Sequence, residues 1–219
     1  MRKVRLNTLV SVIPNCDLLA DVGCDHGYVG IQALILGKAK RVVFTDISQA
    51  SLAKAQANCP LEFADVATFV CQDGLGALKP DVALIAGMGG LEIVSILRKA
   101  HYMPSGLVLQ PMRNQRDVRK YLSAHYEIVT DVKFCDGKYY DVIVARRSEH
   151  ATPLTELQLE FGVSNLRTPS KDFVNYLQLE LSKLNGILLG TDDAEVVARR
   201  ELIERALNEA TKSYNSANS

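Results

Sequence analysis

Three apolar runs in the first third of this 219-residue chain each lead to a carboxylate. LLADV runs into Gly23-Cys24-Asp25, RVVFTD closes on Asp46, and FVCQ runs into Asp73-Gly74. At such a tip Asp46 can accept hydrogen bonds from both hydroxyls of a ribose. Asp73 can accept from the exocyclic amine of an adenine, and Asp25 can attract an ammonium group. Ligands of open α/β sheets bind beyond the carboxyl ends of the strands, so the three acids together read as a site for a nucleoside-bearing cofactor. Each also has a purely structural reading. Asp25 can cap a helix starting near Tyr28, Asp46 can cap one over 48–58 (a task Ser48 can perform instead), and Asp73 can simply open an Asp-Gly turn.

Asp25 discriminates between cofactors. The dinucleotide fingerprint GxGxxG needs a second glycine where pyrophosphate meets the backbone. Here that place holds a carboxylate, which repels phosphate and attracts the amino group of a methionine moiety. The loop therefore favours S-adenosylmethionine over NAD, and no metal is expected. Gly23 and Gly27 permit the sharp turn and the close approach of backbone to ligand. Asp21, Cys24, Ile47, Gln72, Gly74 and Gly87 complete the candidate cofactor set, with Cys24 contributing its backbone N–H more than its thiol. His26 and Tyr28 lie beside this loop and are the candidate catalytic pair, placed to orient a target base on which a tyrosine ring can stack. His26 is the only candidate general base.

The fourth apolar run ends in Ala86-Gly87-Met88-Gly89-Gly90. It lacks the Asn/Asp-Pro-Pro-aromatic tetrapeptide of enzymes that methylate exocyclic amines. Cys59-Pro60 is the reverse of the Pro-Cys nucleophile of cytosine carbon-5 enzymes. The glycines either open the backbone above the cofactor, with helix amides free for a substrate phosphate, or mark a tight strand–helix turn. After the fifth run, Arg113, Arg116 and Lys120 fall on one helical face. With Arg2, Lys3 and Arg5 they form a candidate basic rim for RNA, to which Met88 and Pro111 are added as substrate contacts. An ordinary solvated helix face is the alternative.

The elements that must position these residues follow from periodicity. Strands are expected at 18–24, 41–46, 67–72, 81–87, 106–111, 126–134 and 139–146, with helices at about 28–37, 48–58, 89–100 and 114–125. Alternating strands and helices imply a mostly parallel sheet covered on both faces. The short CDGK turn at 135–138 can join only antiparallel neighbours, so the sheet should end in an antiparallel hairpin. Such a sheet resembles the α/β, Rossmann-like, class I methyltransferase fold of seven strands. Strand-like runs stop after Arg147. Amphipathic helices over 173–190 and 193–210, joined by Gly-Thr-Asp-Asp with Thr191 or Asp192 as cap, imply a small C-terminal helical hairpin domain, and TKSYNSANS reads as frayed. The expected division is 1–150 and 151–219.

Composition narrows the partners. Net charge is zero, but residues 1–150 carry 18 basic against 15 acidic side chains and residues 151–219 carry 7 against 10. A mildly basic body suits a polyanionic substrate. The five cysteines form no CxxC pair, which fits a reducing cytoplasm better than a disulfide framework or a zinc site. No run is long enough to span a membrane. MRKVRLNTLVSVIPNC reads as a leading helix rather than a signal peptide.

The motifs DVGCDHGYVGI, TDISQASLAKA, DGLGAL, IAGMGG, LVLQPM and YYDVIVARR, in this order and spacing, resemble the bacterial tRNA (adenine(22)-N(1))-methyltransferases, the TrmK family. The likeness covers essentially the whole chain. LQLEFG and the two helices after it resemble that family's C-terminal coiled-coil-like domain. The resemblance implies S-adenosylmethionine as donor and an adenine in the D-loop region of tRNA as acceptor. Cys24 stands where that family often has Ser or Thr. A monomer is expected. The competing readings are a non-catalytic RNA-binding protein on the same scaffold, a small-molecule methyltransferase and an NAD-dependent oxidoreductase.

Overall fold

Seven runs rich in valine, isoleucine and leucine pair into one sheet in the computed structural model, which describes residues 3–150 and 152–217. Arg2 of the basic rim, Ala151 at the expected division and the last residues of TKSYNSANS lie outside the described residues. The strands are β1 Cys16–Val22, β2 Ala39–Asp46, β3 Ala67–Cys71, β4 Val82–Met88, β5 Gly106–Pro111, β6 Tyr126–Cys135 and β7 Tyr139–Arg147. Their order is β3-β2-β1-β4-β5-β7-β6. The first five are mutually parallel, and β7 runs antiparallel to both β5 and β6. The expected terminal hairpin is therefore present, with Gly137 at φ +76° in its turn. The order reverses at β1, between β2 and β4, which opens a crevice at the C-terminal ends of those strands.

Helices α1 Lys3–Val12, α2 Tyr28–Ile35 and α3 Gln49–Asn58 cover one face, where Leu9, Ile13, Leu34 and Leu52 pack on Phe44, Leu84, Val108 and Val142. Helices α4 Gly90–Lys99 and α5 Gln115–His125 cover the other, packing Ile93, Leu97, Val118 and Leu122 on Ile85, Leu107, Leu109 and Ile143. Burial on both faces explains why the central strands read as unbroken apolar runs rather than alternating ones.

Beyond β7 come α6 Glu156–Phe161, α7 Val163–Arg167, α8 Lys171–Leu188 and α9 Ala194–Ala217. The long pair α8 and α9 was expected; α6 and α7 were not. Asp193, rather than Thr191 or Asp192, caps α9, its carboxylate accepting from the amides of Glu195 and Val196 at 2.8 and 3.3 Å. Leu157, Phe161, Leu166, Phe173, Leu177 and Ile203 form a core of their own. Among the described residues no helix is long and apolar enough to cross a membrane.

The joint between the helices and the sheet is ionic. Arg119 on α5 is fully buried, donates to both oxygens of Asp131 at 2.7 and 3.0 Å, and reaches Asp141 at 3.0 Å. Its remaining N–H groups go to the carbonyls of Leu159 and Glu160 at the end of α6. Lys133 closes the set against Asp141. Ser164 and Asn165 of α7 accept from the β6 amides of Asp131 and Lys133. Burial works against the Arg119 guanidinium, but the two carboxylates more than offset it and raise its pKa. At the tip of the β6–β7 hairpin the Cys135 amide donates to Asp172 in the first turn of α8 at 2.9 Å, and Asp136 accepts from the Arg5 amide of α1 at 3.0 Å.

Candidate active site

The loop after β1 is shaped by β2. Strand β1 ends at Val22, earlier than expected, because the amides of Gly23 and Cys24 both turn to the Thr45 carbonyl at 2.8 and 3.0 Å. The Cys24 amide is thus already engaged and is not offered to a ligand. Burial pushes its thiol pKa up, so it stays protonated. Asp25 follows at φ +49°, a left-handed conformation that aspartate tolerates better than most side chains. Its amide donates to Asp46 Oδ2 at 3.1 Å, while Ser48 N–H donates to Oδ1 at 2.8 Å. Asp46 therefore holds the loop from the neighbouring strand, and a carboxylate with two accepted bonds still has acceptor capacity left over. Ser48 caps α3, accepting from the Ser51 amide, as the sequence allows.

Asp25 does not cap α2. That position belongs to Gly27, with no side-chain cap. The Asp25 carboxylate is 67% exposed and lies 3.8 Å from His26 Nε2. The rings of His26 and Tyr28 stack in parallel, 5.2 Å apart, and Tyr28 is exposed at the rim.

A cleft of about 340 Å³ opens between this loop and the end of β4. Gly23, Cys24, Asp25, His26 and Tyr28 line one side; Ala86, Gly87 and Met88 line the other. Asp21 lies at its buried floor, accepting from the Gly30 amide at 3.0 Å. Burial raises its pKa from 3.8 to about 7, with the Asp46 charge adding to the shift, and no cation stands within ion-pair distance of it among the described residues. Met88 reaches across: a Cβ on Gly23 would meet its methyl. Met88 is thus part of the cofactor cleft wall as well as a candidate substrate contact.

The remaining candidates surround the cleft. Ile47 is 75% exposed beyond the β2 tip. The Gln72 side-chain Nε2 donates to the Gly74 carbonyl at 2.9 Å, and Thr45 Oγ1 donates to the same oxygen, which fixes the turn after β3. Asp73 is exposed there and paired with Lys99 at 3.2 Å. On the substrate side Arg113 and Lys120 are exposed, and Arg116 lies 3.7 Å from Glu160.

Two expectations fail here. Pro111 is buried within β5, so it presents no surface to an RNA. The Gly90 amide at the start of α4 donates to the Arg113 carbonyl at 2.8 Å and is not free for a phosphate. One residue was misplaced. Arg5, assigned to the outer rim with Lys3, lines the cleft together with Asp21 and beside Gly87.

Residues 2–143 match the family model described as Methyltransferase domain. Fold, crevice and acidic strand tips thus belong to a methyltransferase of the Rossmann-like class. The chain is 30% identical over 168 residues to the tRNA (adenine(22)-N(1))-methyltransferase of Bacillus subtilis, covering 73% of this chain and 71% of that one. It superposes on Mycoplasma capricolum TrmK in complex with S-adenosyl-homocysteine with a TM-score of 0.84 at 26% identity, covering 96% of this chain and 99% of that one. A Streptococcus pneumoniae protein in complex with S-adenosyl-L-methionine gives the same TM-score at 26% identity over 94% of this chain and 100% of that one. The chain belongs to the tRNA (adenine(22)-N(1))-methyltransferase family.

Proposed function

We propose that this protein methylates the N1 ring nitrogen of an adenine in tRNA, adenine 22 by the names of its relatives, using S-adenosylmethionine. The observation that carries the reading is the buried carboxylate of Asp21, which meets no cation among the described residues, in a cleft that Arg5 also lines. A zwitterionic amino-acid end satisfies such a cleft and a pyrophosphate does not. Asp21 and Asp25 hold the ammonium of the donor. Asp46 takes the ribose hydroxyls, and Asp73 takes the adenine amine with Ile47 against its ring.

The bound donor supplies an electrophilic methyl group that the in-plane lone pair of adenine N1 can attack directly. The protein's task is alignment. The stacked rings of His26 and Tyr28 at the cleft mouth offer a platform for a base turned out of its helix. The methylated base is a cation. The same aromatic faces and the nearby Asp25 carboxylate stabilise the charge as it develops. N1 carries no proton to remove, so the step requires no general base. Arg113 and Lys120, on and beside α5, steer the tRNA backbone toward the cleft. Residues 1–150 form the methyltransferase domain and 151–219 the helical one, and the protein acts as a monomer in the cytoplasm.

Nucleoside mass spectrometry of an unmodified tRNA transcript, incubated with enzyme and S-adenosylmethionine, tests this. The expected product is one 1-methyladenosine per transcript, abolished by changing adenine 22. Methyl transfer to a small molecule alone, or none to RNA, overturns it.

A further inference from the structure

Gln110 is fully buried at the carboxyl end of β5, and one end of its side chain is unmatched. Its Nε2 donates to the Pro111 carbonyl and to Met112 Sδ, each at 3.3 Å. Both partners are acceptors with no proton to give, so turning the amide over would set oxygen against them. Oε1 therefore points away from them, and it is buried with no hydrogen-bond partner among the described residues. A hidden acceptor left unmet is costly, and it marks the place of a donor from outside. The register shows where that donor enters. Gln110 pairs with Ala86 and lies two residues beyond Val108, on the same face of the sheet. Ala86 lines the cleft, so Gln110 stands one strand, about 5 Å, beyond the cleft wall. The Met112 amide is tied to the Met88 carbonyl of that wall at 2.8 Å, but its side chain is 39% exposed. An unbranched thioether resting on the Gln110 amide is a movable cover.

Resting on the methyl-transfer reading, we propose that Gln110 reads the target base: with Met112 swung aside, its Oε1 accepts from the amine at C6 of the target adenine. A base lying on the His26 and Tyr28 rings turns one edge toward the β4 wall and the strand behind it. The C6 amine is the only N–H donor of an adenine in RNA, and holding it leaves N1 open to the methyl group. An oxygen at C6, as in guanine, would meet Oε1 as acceptor against acceptor. The reaction itself strengthens the contact. The N1 lone pair forms the new bond to the methyl carbon, the carbon–sulfur bond breaks with its electron pair left on sulfur, and the positive charge passes from sulfur to the N1–C6–N6 amidine of the base. The amine keeps both protons and becomes a stronger donor, so its bond to Oε1 is tighter in the transition state than before it.

The test pairs the residue with the amine. Two full-length tRNAs carry adenosine or purine riboside, which lacks the C6 amine, at the target position, and methyl transfer to each is followed with the full chain in excess so that slow transfer is measured. In Gln110→Met, similar in length but without the acceptor, the rate on the adenosine tRNA should fall roughly 10- to 100-fold, as for a lost bond to a charge-bearing group. On the purine riboside tRNA it should stay at the parent's value, which also shows that the variant is folded, and affinity for S-adenosylhomocysteine should not change. Gln110→Glu, which keeps an acceptor, should retain most of the preference for adenosine. An equal fall on both RNAs makes Gln110 a structural support and overturns the assignment, as does an unchanged rate on adenosine. If Gln110→Met does not fold, the ratio of the two rates in Gln110→Glu decides: a preserved ratio sustains the reading of the amine and a collapsed one overturns it. Failure of the parent to methylate either RNA would instead remove the methyl-transfer reading.

Discussion

Two regions of this molecule bury charge, and they handle it in opposite ways. In the joint between sheet and helices, Arg119 answers Asp131 and Asp141, Lys133 answers Asp141, and backbone carbonyls take the remaining guanidinium N–H groups. In the cleft, among the described residues, Asp21 has one backbone amide and no cation, and Arg5 has an unpaired Nε. The joint charges and Asp21 are removed from water and Arg5 is half-buried, which costs free energy unless partners replace the water. The joint contains all its partners within the chain. Among the described residues the cleft does not, which leaves it the place where a ligand could supply them. Buried charge alone therefore does not distinguish structure from function; the completeness of its pairing does.

The largest test of this contrast is Arg119→Met. It leaves Asp131 buried without its main partner and should cost roughly 3–5 kcal/mol in chemical denaturation. Replacing Asp131 by leucine in the same chain should recover most of that. A single variant as stable as the parent would mean that the cluster holds nothing together.

Next in size is Asp21→Asn, with the opposite sign. The folded pKa of Asp21 is raised from 3.8 to about 7, so between those values the folded state keeps a proton that the unfolded chain gives up. Its contribution to stability is complete below about pH 4, falls as pH rises through that window, and levels off above pH 7, by about 4 kcal/mol at most. The amide variant carries no such burden. The two proteins should melt together near pH 4, and the variant should melt higher at pH 8 while binding S-adenosylhomocysteine less well. Parallel melting profiles would show that Asp21 is not strained.

Asp46→Ala should weaken S-adenosylhomocysteine by about 10- to 100-fold in calorimetry, through the ribose and through the loop that it holds. Unchanged affinity would take Asp46 out of the site. The smallest effect is expected for Lys120→Ala: a few-fold loss of tRNA affinity, a salt dependence shallower by about one, and no change toward the cofactor.

The sheet was legible because its information is local. Each strand announces itself by an apolar run, and CDGK dictates a reversal wherever it occurs. The acidic tips were legible for the same reason, since a strand end is also a sequence position. Arg119 was not. It sits among Arg116 and Lys120 in what reads as a solvated basic stripe, and its carboxylate partners are 12 and 22 residues away. The available sign was the pair of aspartates inside otherwise apolar strands, in EIVTDVKF and YYDVIV, where acids are rarely left without a partner. Arg5 was hidden likewise, as one of three cations near the N-terminus. The short helix α6 could have been found from Thr155 and Gln158, the two ends of a capping box that the structure forms.

The tip of the last hairpin ties both regions into one mechanical circuit. Cys135 is fastened to the start of α8 and Asp136 to the backbone of Arg5, so two adjacent residues tether the helical tail and α1 to the same bend. One two-residue bend thus fixes the start of the tail and the first helix together, and displacing it would disturb both at once. Asp172→Ala removes the tail's half of this fastening and should cost about 1 kcal/mol in chemical denaturation, and an unchanged stability would show that the bend fixes nothing.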